Sequence, residues 1–174
     1  MPFGLPTASG AIIDAKRALE AIISQKLDCN NPESVLDDVI KSDRTIQFII
    51  TGYTAGGLSW SALRKVETIK SQIKDAIRSV KDNPQFLAKC SSKSKNQAVV
   101  EELAIMILDA IFTSGKVNII KNNAKMATRY NRIKRAKFNM KEVDRLKKEE
   151  EGAKGGGTRK QSRKARRKTQ RRRR

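Results

Sequence analysis

The last 23 residues of the chain contain no acidic residue and almost no apolar one, so the folded part must lie before them. Residues 152–174 read GAKGGGTRKQSRKARRKTQRRRR and hold 12 Lys and Arg, with two alanines as their least polar side chains. A segment of this composition has no apolar surface to bury in exchange for the conformational entropy that folding costs. We therefore expect residues 152–174 to form a disordered Gly/Arg-rich tail.

The basic residues are unevenly distributed along the whole chain. Residues 1–115 contain 14 basic and 13 acidic residues, a net charge of +1, whereas residues 116–174 contain 24 and 5, a net charge of +19. Nearly all of the formal charge of +20 therefore belongs to the last third. This asymmetry predicts a charge-balanced body that carries a cationic arm.

Apolar residues recur at helical spacing through the body, and this pattern predicts an all-α fold, a compact helical bundle. Residues 45–53 are β-branched and aromatic enough for a strand, but a single strand would have no partner, so a helix is favoured. Residues 97–114 are apolar on nearly every side, which predicts the central helix of the core. Helices are predicted near residues 9–27, 32–40, 45–53, 59–80 and 97–114.

Residues 117–150 contain no Gly or Pro and are rich in strong helix formers, which predicts one long basic helix. An apolar stripe runs through Tyr130 and Ile133, but Lys137 and Lys141 interrupt it further along. The first half is therefore expected to pack on the core and the second half to project. The predicted organisation is a helical core domain at 1–116, a long basic helix at 117–151 and the disordered tail at 152–174.

Several classes of enzyme are excluded by composition. The chain has no His, which excludes Ser/His/Asp and Cys/His catalysis and zinc sites with imidazole ligands. The segment 52–59 has the glycine spacing of a phosphate-binding loop, but Leu58 stands where the essential Lys would be. The acidic trio at 149–151 is interpreted as a solvent-facing helical turn. We therefore expect no enzyme activity, no cofactor and no metal site.

The basic third indicates binding to a polyanion. Arginine makes bidentate contacts with phosphate, and phosphate contacts carry no sequence information. Binding is therefore expected to be sensitive to salt and weakly selective. The predicted nucleic-acid-binding residues are Lys121, Lys125, Arg129, Arg132, Lys134, Arg135, Lys137, Lys141, Arg159, Lys160, Arg163, Lys164, Arg166, Arg167, Lys168, Arg171, Arg172, Arg173 and Arg174.

The tail also has the composition of a nuclear-import signal, and the lysines at 147–148 lie at the distance expected of a two-part version. Ser162 follows Arg-Lys-Gln, a context typical of basophilic kinase sites, and a phosphate there would remove about two units of positive charge. The predicted import residues are Arg163, Lys164, Arg166, Arg167 and Lys168.

Neither a secretion signal nor a transmembrane segment is expected. The N-terminal sequence MPFGLPTASGAIIDAK has no basic region ahead of an apolar stretch. The most apolar segment, residues 98–112, contains three acidic residues and is shorter than the roughly 20 apolar residues that a membrane helix needs.

A helical body followed by TRKQSRKARRKTQRRRR resembles the format of small basic viral nucleocapsid, capsid and matrix proteins. The size is similar to that of a small gene product of an orthomyxovirus-like segmented RNA virus. The resemblance rests on this format and on the last third of the chain, and it assigns no residue in 1–115.

The resemblance implies a non-enzymatic structural protein of the virion that binds nucleic acid, RNA in preference to DNA, and forms a homo-oligomer through its helical core. It implies a location in the nucleus or nucleolus of a host cell, or in the virion interior. The alternative is a viral matrix-type or host-directed interaction protein. Its basic region would then contact an anionic membrane surface or importin.

Overall fold

The computed structural model describes most of the body and the start of the basic third. The residues that it describes are 7–28, 30–55, 61, 64–91, 96–113, 115, 117 and 123–153.

These described residues form eight helices and no strand, which confirms the all-α prediction. Residues 45–53 lie inside the third helix, so the helical interpretation of this segment is correct. In chain order the helices are α1 (Ala8–Lys26), α2 (Glu33–Lys41), α3 (Asp43–Ala55), α4 (Val66–Arg78), α5 (Pro84–Ser91), α6 (Gln97–Phe112), α7 (Asn123–Arg135) and α8 (residues 140–153).

Helices α1 and α6 form the centre of the bundle. Helix α1 packs against α2, α3, α6 and α7, and α6 packs against α1, α4, α5 and α7. Leu103, Ile107 and Ile111 of α6 are fully buried, while Val99 and Met106 are partly exposed and still pack on the core. The prediction of a central helix near residues 97–114 is therefore confirmed, although α1 shares that position.

Four aromatic rings form a row through the core. The ring centroids of Tyr53 and Phe112 are 5.3 Å apart, those of Phe112 and Tyr130 5.1 Å, and those of Tyr130 and Phe138 6.3 Å. The buried Tyr130 hydroxyl donates a hydrogen bond to Asp109 Oδ1 at 2.8 Å. The row joins α3, α6, α7 and the turn after α7, so packing of the basic third is part of the core.

The buried tyrosines predict a loss of stability in alkali. Burial raises the pKa of the Tyr53 hydroxyl above its ordinary value of about 10. The folded protein therefore favours the neutral hydroxyl, and this preference stabilises the fold fully at pH values below the unfolded pKa. The stabilisation is lost as the pH rises from the unfolded pKa towards the folded pKa. Between pH values of about 10 and 11, we expect the free energy of unfolding to fall about 1 kcal/mol less in Tyr53→Phe than in the wild type. Urea titrations at the two pH values measure this difference, and parallel losses in both proteins would contradict it.

The prediction of one continuous helix across residues 117–150 is wrong, because the described part of this segment turns at residues 136–139. Lys137 and Phe138 have left-handed backbone conformations, with φ of 51° and 54°. The Phe138 N–H donates to the Ile133 carbonyl at 3.0 Å and the Lys137 N–H to the Lys134 carbonyl at 2.9 Å. This pair of hydrogen bonds is the Schellman motif, with Lys137 at the position that glycine usually occupies.

Helix α8 then packs back on the body instead of projecting, which corrects the second expectation for this segment. The Asn139 side chain accepts from the Lys141 N–H at 2.9 Å and so caps the new helix. Val143 and Leu146 of α8 are buried, with 0% and 4% of their surface exposed. The basic third is therefore a helix, a tight turn and a second helix that returns to the core.

A buried lysine of α1 holds the turn in place. Lys16 Nζ pairs with Glu20 at 2.6 Å and with Glu101 of α6 at 2.9 Å, and it lies 4.9 Å from the centroid of the Phe138 ring. Burial alone would lower the pKa of the Lys16 ammonium, but hydrogen bonds to the two carboxylates raise it above its ordinary value. Lys16 thus joins α1, α6 and the turn after α7.

The left-handed turn predicts that glycine substitution has opposite effects on stability at two exposed lysines, Lys137 and Lys141. Lys137→Gly removes the steric penalty of the left-handed conformation, and we expect it to stabilise the fold by about 0.5 kcal/mol after the entropy of the unfolded chain is considered. Lys141→Gly makes the same change of charge in the first turn of α8, where the backbone is already helical, and should destabilise by about 0.5 kcal/mol. Thermal melting of both variants gives the sign, and destabilisation by both would contradict this account of the turn.

Candidate nucleic-acid interface

The basic third is anchored to the body by one buried carboxylate, Glu150 of α8. Its Oε2 accepts from the Ala8 N–H at 2.8 Å, and its Oε1 accepts from the Ser9 N–H at 3.2 Å and from the Ser9 hydroxyl. Arg129 Nε of α7 lies 3.0 Å from Glu150 Oε1. Only 8% of Glu150 is exposed, so the interpretation of residues 149–151 as a solvent-facing turn is wrong for its middle residue.

Glu150 completes the N-terminal cap of α1. The first N–H groups of a helix have no partner inside the helix, and they form the positive end of its dipole. Thr7 Oγ1 accepts from the Gly10 N–H at 3.1 Å, and Glu150 accepts from the two N–H groups before it. A Cβ at Gly10 would lie 3.0 Å from Thr7 Oγ1 and 3.3 Å from Lys147 Cε, so the glycine leaves room for the capping hydroxyl. The C-terminal part of α8 therefore lies beside the N-terminus of α1.

Two of the predicted nucleic-acid-binding arginines are paired with acids of α8. Arg129 is bound to Glu150, as above. Arg132 donates to Glu142 Oε1 at 2.8 Å and pairs with Glu149 at 3.2 Å. Hydrogen bonds from Arg145 and Arg132 hold the pKa of the Glu142 carboxyl below its ordinary value. These two arginines join α7 to α8, so the fold already uses part of their charge.

Lys134 is engaged on the other side of α7. Its Nζ lies 2.6 Å from Asp109 Oδ2 of α6, and the same carboxylate accepts from Tyr130. The Lys134 side chain is 41% exposed, so the ammonium remains in contact with water. This lysine links α7 to α6, which indicates a structural role alongside any contact with a ligand.

Four other predicted cations are exposed and make no ion pair within the described part of the chain. On α7, Lys125, Arg132 and Arg135 follow one another at intervals of seven and three residues, which places them on one face. The buried Met126 and Ile133 lie on a different side of α7. The four unpaired cations are Lys125, Arg135, Lys137 and Lys141.

The remaining predicted sites lie outside the described residues. They are Lys121, the kinase-site candidate Ser162, and the tail cations Arg159, Lys160, Arg163, Lys164, Arg166, Arg167, Lys168, Arg171, Arg172, Arg173 and Arg174.

The upstream half of the predicted two-part import signal lies on α8. Lys147 is 33% exposed, pairs with Asp144 at 3.7 Å and packs over Gly10, whereas Lys148 is exposed. An importin would therefore meet Lys147 on a folded helix whose inner face is buried.

The described residues contain no helix that is long and apolar enough to cross a membrane. They also contain no group of three or more Cys, Asp or Glu arranged to hold a metal ion. Comparison with protein-family models, with curated proteins and with solved structures finds no match for this chain.

Proposed function

We propose that this chain is a non-enzymatic structural protein that binds RNA or DNA phosphates through its basic C-terminal third, with little sequence specificity. The observation that carries the proposal is the charge of residues 152–174, where 12 basic residues have no acidic residue among them. A polyanion releases condensed counterions when such a segment binds it, and this release supplies the free energy of binding.

The ion pairs of α7 and α8 support two separate roles for the cations of the basic third, one in holding the helices together and one in binding phosphate. Residues 123–153 contain 10 basic and 5 acidic residues, a net charge of +5. The acids of α8 neutralise Arg129 and Arg132, which join the two helices. Lys125, Arg135, Lys137 and Lys141 are left exposed to extend the phosphate-binding surface of the tail.

The aromatic residues of the basic third favour low sequence selectivity. Single-stranded nucleic acids are commonly held by bases that stack on aromatic side chains. Tyr130 is fully buried between Phe112 and Phe138, and Phe138 itself is partly buried under Lys16. Tyr130 is therefore closed to a base and Phe138 is partly covered, so we expect phosphate contacts to dominate in this region.

Binding of the full chain to RNA and to anionic vesicles tests the proposal against its alternative. The probes are a labelled single-stranded RNA and phosphatidylserine-containing vesicles, at salt concentrations of about 0.05 M and 0.2 M. We expect RNA binding at the lower salt and a loss of affinity of about a thousandfold at the higher salt. Binding to vesicles without binding to RNA would overturn the proposal in favour of a matrix-type protein.

A double variant tests the contribution of the exposed face of α7. Lys125→Gln with Arg135→Gln should weaken RNA binding several-fold without changing the melting temperature, because both side chains are exposed and make no ion pair in the described chain. The control is Lys70→Gln with Lys81→Gln, which removes the same charge from the body, where both lysines pair with acids. Equal losses in the two double variants would show a response to net charge alone.

A further inference from the structure

A groove opens between α1 and the first turns of α3, and the described residues that line it include none of the basic third. Its volume is about 450 Å³, which lies in the range of small-ligand sites. The apolar part of its lining includes Ile22 of α1 and Phe48 of α3, and Arg17 and Arg44 stand beside them. The groove therefore combines an apolar surface with two cationic groups and one carboxylate, that of Asp14.

The two arginines have little to bind within the protein. The Arg44 guanidinium carbon lies 5.6 Å from the centroid of the Phe48 ring, and Arg44 makes no ion pair with any described residue. The Arg17 side chain is 64% exposed, and its nearest acid, Asp14, is 4.0 Å away, at the limit of an ion pair. Both guanidinium groups are thus available to an anion in the groove.

The Phe48 ring, which lines the groove, is only partly buried against the core. Phe48 packs against the core and is partly exposed, unlike the fully buried Tyr53 of the same helix. The part of the ring that is not packed on the core contributes to the lining of the groove. Because the Arg44 guanidinium lies over this ring, a base that stacks on Phe48 takes the place of the guanidinium, which can then turn to the phosphate of the same ligand.

We infer that this groove binds a nucleotide, with its phosphate held by Arg17 and Arg44 and its base placed on Phe48 and Ile22. Arginine matches phosphate geometry with paired hydrogen bonds. A lone phosphate would leave the apolar lining uncovered, and a purely apolar ligand would leave two guanidinium groups without a partner. This inference goes beyond the proposed function, because the groove belongs to the charge-balanced body and uses no residue of the basic third.

Backbone amide chemical shifts of the full-length protein test the site, because they separate the groove from the tail. The probes are adenosine 5′-monophosphate and ribose 5-phosphate, which carries the same phosphate without a base. We expect adenosine 5′-monophosphate to shift amides in residues 14–22 and 42–48, and ribose 5-phosphate to shift them at least about threefold less at equal concentration. Phe48→Leu should reduce the difference between the probes, and Arg44→Gln should weaken binding of both.

Arg78 of α4 provides a matched control for Arg17. Its side chain is 67% exposed and pairs with Asp75 three residues away at 3.7 Å, as Arg17 does with Asp14. Arg17→Gln should weaken binding of adenosine 5′-monophosphate, whereas Arg78→Gln should leave it unchanged. Equal responses of these two variants, equal shifts by the two probes, or no shift in the groove would each overturn the inference.

A single-stranded oligonucleotide identifies the source of the nucleotide. Shifts in the groove with the oligonucleotide and with adenosine 5′-monophosphate would indicate a nucleotide within a strand, and shifts with the mononucleotide alone would indicate a free one. Failure of the tail to bind RNA would refute the proposed function while leaving the groove shifts intact. The proposed function and the nucleotide site in the groove can therefore be refuted independently of each other.

Discussion

Replacing Glu150 by alanine is expected to lower the free energy of unfolding by about 4 kcal/mol. The substitution leaves two N–H groups of α1 without their acceptor and removes the ion-pair partner of Arg129. Breaking a buried ion pair by removing one partner typically costs about 3–5 kcal/mol, and each buried N–H that loses its acceptor adds to the cost. In urea denaturation, the midpoint should fall by about 2 M.

Two variants show whether this effect belongs to the position or to the charge. Glu151→Ala removes the same charge from the exposed neighbour and should change stability by less than about 0.5 kcal/mol. Glu150→Gln keeps a carbonyl oxygen that can accept from α1, so it should lie between the wild type and Glu150→Ala. If Glu150→Ala and Glu151→Ala unfold at the same urea concentration, the anchoring role of Glu150 is wrong.

Replacing six arginines at the end of the tail by glutamine is expected to have the largest effect on binding. The variant carries Gln at 166, 167 and 171–174. Each phosphate neutralised on a single strand contributes about 0.7 to the slope of log affinity against log salt, so six lost contacts should flatten the slope by about 4. At physiological salt, this corresponds to a loss of affinity of up to about a thousandfold.

The same variant separates the tail from the helices as the binding site. Its thermal melting should match that of the wild type, since nearly all apolar periodicity precedes the tail. An unchanged salt slope would move the site to the cations between Lys121 and Lys141. In that case the double variant at Lys125 and Arg135 would carry the larger effect.

Helices whose apolar residues face one side were predictable from the sequence. Ile12, Leu19 and Ile23 recur at helical spacing, and all three are buried in α1. The turn between α7 and α8 was missed because it contains neither Gly nor Pro and instead places Lys137 in the left-handed region. Asn139 followed by Glu142 has the spacing of a helix start, and this signal could have located α8.

The uneven distribution of charge along the chain was predictable from the sequence. Which of the cations form ion pairs within the fold and which remain exposed was not. Spacing rules relate residues three or four positions apart, whereas Glu150 contacts residues 141 and 142 positions away. The pairing of Arg132 with Glu149 likewise depends on the turn that brings α8 back along α7. Only the tertiary structure separates the cations that hold the fold from those that face solvent.

The order of residues in the tail provides the most direct test of the proposed function. We would measure binding of the full chain to single-stranded RNA across a range of salt, with the wild-type tail and with residues 158–174 scrambled at constant composition. Phosphates respond to charge density, so both proteins should bind with equal affinity and with the same steep slope, at most about −8 for 12 neutralised phosphates. A scrambled tail that loses affinity, or a wild-type slope near zero, would contradict binding through an unstructured polycation.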